Sequence, residues 1–124
     1  MNKKKADIQW MDEPASKDYE AAQRFLELLY EPKKARSLVK KLKRAEMSAY
    51  AAKDILRASG TLLSDIQAFD WTKQQDEIRS GEPLSPILLV RREDGSRLIV
   101  ADGFHRMCAV FSTDEHVIVP CKIV

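Results

Sequence analysis

Leu98-Ile99-Val100-Ala101-Asp102-Gly103-Phe104-His105-Arg106 is an apolar run, a glycine break, and then a return to helical spacing. Four apolar residues entering a glycine predict a strand that ends in a tight turn. Beyond it Phe104, Cys108 and Phe111 fall at i, i+4 and i+7, which predicts a helix over Phe104 to Ser112 with these three on one face. Upstream, Ile87-Leu88-Leu89-Val90 is apolar without alternation, the pattern of a strand covered on both sides. Glu93-Asp94-Gly95-Ser96 is turn chemistry, so the two strands make a hairpin, and Val117 to Val124 closes the unit as a third strand.

The N-terminal half is predicted to be helical. Ala22, Phe25, Leu26 and Leu29 line one face of a first helix, with Ser16 or Asp18 as its N-cap. Pro32 opens a second helix to about Ala45, with Ala35, Leu38, Val39 and Leu42 inward and seven basic side chains elsewhere. Met47 to Ser59 repeats the pattern and predicts a third helix stopped by Gly60. Thr61 to Trp71 has no clean period and is expected to be a loop or irregular strand. Thr72-Lys73-Gln74-Gln75 is a capping box that starts a helix ended by Gly81. The fold class is therefore α/β in the α+β sense. Residues 1–60 form a helical extension and residues 61–124 the sheet-bearing part, together one compact domain.

A chain of 124 residues with 44% hydrophobic residues is the size of one domain with a working core. No run approaches the roughly 18 apolar residues of a membrane span, and Met1-Asn2-Lys3-Lys4-Lys5 leads into no signal core, so no membrane partner and a cytoplasmic location are expected. Lys3 to Lys5 read as a frayed end and Ile8 to Met11 as an apolar segment that docks on the body. Cys108 and Cys121 sit in apolar surroundings and are expected to be reduced thiols. With His105 and His116 they give H-x2-C-x7-H-x4-C, which lacks the short paired knuckles of structural zinc sites. A net charge of +2 does not mark a nucleic-acid binder in bulk. The basic helix, Lys33 to Arg44, is read first as a solvated face, with nucleic acid the less favoured alternative.

A strand that turns at Gly103 into a helix presents that helix's first amides, which together with the macrodipole favour bound negative charge. Arg106 adds a planar donor fork and His105 a second donor, so Gly103, Phe104, His105 and Arg106 make a candidate phosphate cradle. Asp102 complicates it, because a carboxylate there repels phosphate at close range. Either it turns away to orient Arg106, or a Mg²⁺ ion held by Asp102 bridges it to the phosphate.

Pro86-Ile87 before the first strand, Gly103-Phe104-His105-Arg106 opening the helix, and Pro120-Cys121-Lys122 in the last strand resemble, in that order, the ParB/sulfiredoxin superfamily. The resemblance covers about the last third of the chain, and the whole chain also resembles a group of small bacterial proteins of similar length. It implies a small mixed sheet with a nucleotide phosphate, ATP or CTP, held at this turn. It further implies a Mg-dependent phosphotransferase or nucleotide hydrolase with Asp102 and Glu82 as candidates for the catalytic base. The alternative is a noncatalytic nucleotide-sensing or partner-binding module. Two departures narrow the choice. Phe104 stands where sulfiredoxin has its reactive cysteine, and the paired arginines of ParB are replaced by His105-Arg106.

Overall fold

Ile87-Leu88-Leu89-Val90 offers no polar face to water, and the chain covers both of its faces with helices. The computed structural model describes residues 8–124; the frayed end expected at Lys3 to Lys5 lies outside the described residues. The described elements are α1 (Ser16–Leu26), α2 (Pro32–Arg44), β1 (Ser48–Ala51), α3 (Ala52–Ala58), α4 (Leu63–Gln67), α5 (Thr72–Arg79), β2 (Ile87–Val90), β3 (Ile99–Asp102), α6 (Phe104–Thr113) and β4 (Ile118–Ile123). The strands form one sheet in the order β1-β4-β2-β3. β2 runs antiparallel to β3 and parallel to β4, and β4 runs antiparallel to β1, so this is a small α+β fold with a mixed sheet.

Side chains alternate across a strand, and β2 uses this to join two cores. Leu88 and Val90, with Ile99 and Ala101, pack under Tyr19, Ala22 and Leu26 of α1 and Leu38, Val39 and Leu42 of α2. Ile87 and Leu89, with Val119 and Cys121, pack under Ile55 and Leu56 of α3, Ile66, Ile78 and Met107. All four β2 residues are at most 1% exposed, and burying each contributes about 2 kcal/mol of hydrophobic stabilisation. Residues 8–60, the described part of the expected helical extension, thus contribute the α1–α2 layer on one face, an edge strand of the sheet and, through α3, part of the layer on the other face. Ile8 and Trp10 dock on the second core, and Trp10 bridges Leu84.

Five local expectations need correction. Met47 to Ser59 is not one helix: Ser48–Ala51 pairs with β4, Ser48 opposite Cys121, and only Ala52–Ala58 is helical. The alanines favour a helix, but the open backbone of β4 offers a ladder, and tertiary pairing overrides a weak propensity. Thr61 to Trp71 is neither loop nor strand throughout, since α4 forms a short helix there with Ile66 buried. Thr72 is not the cap of α5: Trp71 is, held by its indole N–H donating to Ile66 O at 2.7 Å, while Asp70 accepts from the Thr72 amide at 3.0 Å. The N-cap of α1 is Ala15 rather than Ser16 or Asp18, and Asp18, one turn in, reaches back to the Ala15 amide at 3.3 Å. Finally, α1 stops at Leu26, so Leu29 lies beyond it, and Phe25, Leu29 and Phe104 are roughly two-fifths exposed rather than in the cores. All three line one groove.

Among the described residues no helix is long and apolar enough to cross a membrane. Cys108 and Cys121 are buried and unlinked.

Candidate functional site

β3 delivers the chain to Gly103 with one residue more than β2 needs: the register shifts between Leu88 and Leu89, placing Asp102 opposite Leu88 but Val100 opposite Leu89. Bulges of this kind re-aim the side chain at a strand's end. Gly103 then takes φ +100°, and a Cβ there would lie 2.5 Å from Ile87 Cδ1 and 2.9 Å from Arg106 Nη2, so only glycine fits. It is the N-cap of α6, and the first helical bond runs from the Met107 amide to Gly103 O at 2.9 Å. The amides of Phe104, His105 and Arg106 precede that bond, and no side chain caps them.

The Asp102 carboxylate leaves this terminus open because it turns to Arg106. Arg106 Nη2 donates to Asp102 Oδ2 at 2.5 Å, and Nη1 donates to Ser85 O at 2.9 Å and more distantly to Asp18 Oδ2 at 3.4 Å. Ser85 Oγ in turn accepts from the Ala15 amide at 3.0 Å and donates to Asp18 Oδ2. Asp18 and Ser85 are buried, and the Arg106 side chain is only 22% exposed. One guanidinium therefore ties the start of α1, the segment before β2 and the end of β3 together. Burial pushes the Asp102 carboxyl above its ordinary value and the Asp18 charge adds to this, against the opposing charge of Arg106. Among the two resolutions of Asp102, the structure has it oriented on Arg106.

The uncapped end of α6 opens into a groove of about 640 Å³ running along β3, within the range of small-molecule sites. Gly103, Phe104 and His105 stand at one end and Arg92 and Arg97 at the other, separated by the four residues of β3, or about 13 Å. Ala21, Phe25 and Leu29 form an apolar wall, and Ser59 and Thr61 add hydroxyls. His105 is exposed, its ring between Trp71 at 5.9 Å and Phe104 at 6.0 Å. Among the described residues neither Arg92 nor Arg97 makes an ion pair.

Of the residues expected at the site, the structure brings Asp102, Gly103, Phe104 and His105 to the groove. The Arg106 guanidinium is instead committed to its two carboxylates and a carbonyl, and Arg106 is absent from the groove lining. Glu82 is exposed in the turn after α5 and does not line the groove either. The Asp102 carboxylate is paired with Arg106, and among the described residues no three His, Cys, Asp or Glu side chains come together to hold an ion.

Sequence reasoning passed over Arg92, Arg97, Ser85 and the role of Asp18. Asp18 had a signal, since it is in helical phase with Ala22 and Leu26 and so lies on the buried face of α1. Arg92 and Arg97 flank the hairpin turn, where charged residues are ordinary. No family model, no curated protein and no solved structure matches the chain.

Proposed function

We propose that this chain is a nucleotide-binding module of ParB/sulfiredoxin type, holding its ligand in the groove along β3. The observation that carries it is the uncapped N-terminus of α6, opening beside His105 into a groove with an apolar wall and two arginines at its far end. Phosphate oxygens take the amides of Phe104, His105 and Arg106, where the helix dipole favours negative charge. Phe25 and Leu29 receive the base, and Arg92 and Arg97 balance the remaining charge or bind the base edge. Arg106 acts as a positioning residue that holds Asp102 off the amides.

The noncatalytic reading is preferred to phosphotransfer or hydrolysis. Asp102 shares its site with Asp18 and accepts from Arg106, so it is not free as a general base, and Glu82 stands apart. Any Mg²⁺ would arrive on the nucleotide's own phosphates. Free, buried thiols at Cys108 and Cys121 suit a reducing compartment, so the proposed setting is cytoplasmic.

The test is calorimetric titration with ATP, CTP and GTP, each with and without magnesium, alongside assays for released phosphate. Arg97→Ala and His105→Ala should each weaken binding about tenfold, the loss of one charge-assisted contact. Arg44→Ala, on the basic helix, should leave it unchanged. No binding by any nucleotide, or equal losses from all three substitutions, would refute the site; steady product release would restore the catalytic reading.

A further inference from the structure

Seven of the chain's 21 Lys and Arg residues lie on α2, which holds none of its 19 Asp and Glu. The rest of the chain, with 14 basic and 19 acidic side chains, is net negative. The near-neutral total therefore conceals a strongly polarised molecule. All seven cations are exposed, and the helix's apolar residues Ala35, Leu38, Val39 and Leu42 are buried. Lys41, Lys43 and Arg44 lie in the last turn, where the macrodipole favours them. Lys33 and Lys34 lie in the first turn, which has no acidic residue, so the dipole opposes them there. Helix stability does not account for that placement.

Three of the seven have neighbours that occupy them. Lys34 bonds Glu93 at 2.8 Å, Lys41 faces the same carboxylate, and Lys43 leans over the Tyr19 ring at 5.7 Å. The other four, Lys33, Arg36, Lys40 and Arg44, follow at i, i+3, i+7 and i+11, and among the described residues none of them is ion-paired. At 100° per residue they form a stripe within about 80° of arc and about 16 Å long. The buried Lys122 secures this helix, donating to Lys43 O at 3.0 Å near its C-terminus.

We propose that this stripe binds the phosphate backbone of a nucleic-acid duplex. A straight row of cations without an apolar or aromatic anchor matches a rod of regular negative charge, about one per 1.7 Å of duplex axis. Protein partners draw their affinity from buried anchors that the stripe lacks. A membrane surface needs apolar side chains to insert, and those of α2 face the core. Single strands need stacking aromatics, and none lies on the stripe. Recognition is by shape and charge rather than by base sequence.

The experiment measures fluorescence anisotropy of a labelled 20-base-pair duplex against the whole chain. Binding should be micromolar at about 50 mM salt and weaken about a hundredfold by about 200 mM, a log-log slope near −3.5 for four phosphate contacts. The quadruple variant K33Q/R36Q/K40Q/R44Q, with unchanged circular dichroism and melting, should bind at least tenfold more weakly with a flattened slope. Lys53→Gln with Arg57→Gln, on α3, should behave as the unsubstituted chain. The proposal is overturned if the duplex fails to bind or the quadruple variant binds as tightly. Tighter capture of a poly-glutamate peptide, or of phosphatidylserine-containing vesicles, than of the duplex overturns it too.

Discussion

Replacing Arg106 by methionine keeps most of the side chain's bulk and removes the charge that separates Asp18 from Asp102. The lost contacts are one short bond to Asp102, one to the Ser85 carbonyl and a longer one to Asp18. A hydrogen bond to a charged group is worth about 1.5–3 kcal/mol, and breaking a buried ion pair costs about 3–5 kcal/mol. With a fifth of the arginine side chain open to water, solvent replaces part of this, so the expected loss is about 2–4 kcal/mol at pH 7. The loss also has a pH signature. Burial first, then the Asp18 charge, raises the Asp102 pKa, and Arg106 is the opposing influence; without it the pKa rises further. A folded-state pKa above the unfolded one means that the native state holds its proton more tightly, so stability falls as pH rises from about 4 through the folded value. Urea denaturation should accordingly show a smaller deficit at about pH 5 than at pH 7. Adding Asp102→Asn should recover part of the pH 7 loss and remove its pH dependence. A deficit below about 1 kcal/mol, or one equal at both pH values, would mean that Arg106 makes only a solvated surface pair.

Gly103→Ala should cost at least about 2 kcal/mol, because it combines a left-handed φ with a Cβ pressed on Ile87; Gly95→Ala, at φ +72° with open space around it, should cost about half as much, and equal Tm losses would contradict the crowding. Burial pushes the thiols of Cys108 and Cys121 up to about 11, so a disulfide reagent at about pH 8 should label neither until the chain is unfolded; rapid labelling of the native protein would place a thiol at the surface.

The buried strand at Ile87–Val90, the hairpin, the glycine turn and the amphipathic α2 were legible because each is encoded within a few neighbouring residues. β1 was not. Ser48–Ala51 is a strand only because β4, some 70 residues later, leaves a ladder to fill, and nothing within Met47 to Ala51 carries that information. The same distance hid the site's polar network, whose members Asp18, Ser85 and Arg106 are spread over 88 residues. Phe104 misled for a different reason: helical phase assigns a face, but the first residue of a helix beside a groove has no neighbour on that face to bury it.

The Asp102–Arg106 pair links stability to the proposed binding. Asp102 stands one residue before the Gly103 N-cap, where a carboxylate can turn to the first-turn amides, and among the described residues no side chain caps α6. Arg106, one turn into the same helix, draws that carboxylate to itself. The fold forgoes a cap worth about 1 kcal/mol and gains a half-buried ion pair that also anchors α1 through Asp18. What remains is a helix terminus whose first amides have no side-chain acceptor among the described residues, facing a groove. Asp102 and a phosphate are thus rivals for the same donors, and Arg106 decides between them. Arg106→Met should therefore weaken any bound nucleotide without Arg106 ever touching it, by freeing Asp102 to cap α6 and to repel the phosphate. If that is the route, Asp102→Asn added to Arg106→Met should restore affinity along with stability, because an amide repels phosphate far less than a carboxylate does. Recovery of stability without recovery of affinity would mean instead that the guanidinium itself contacts the ligand.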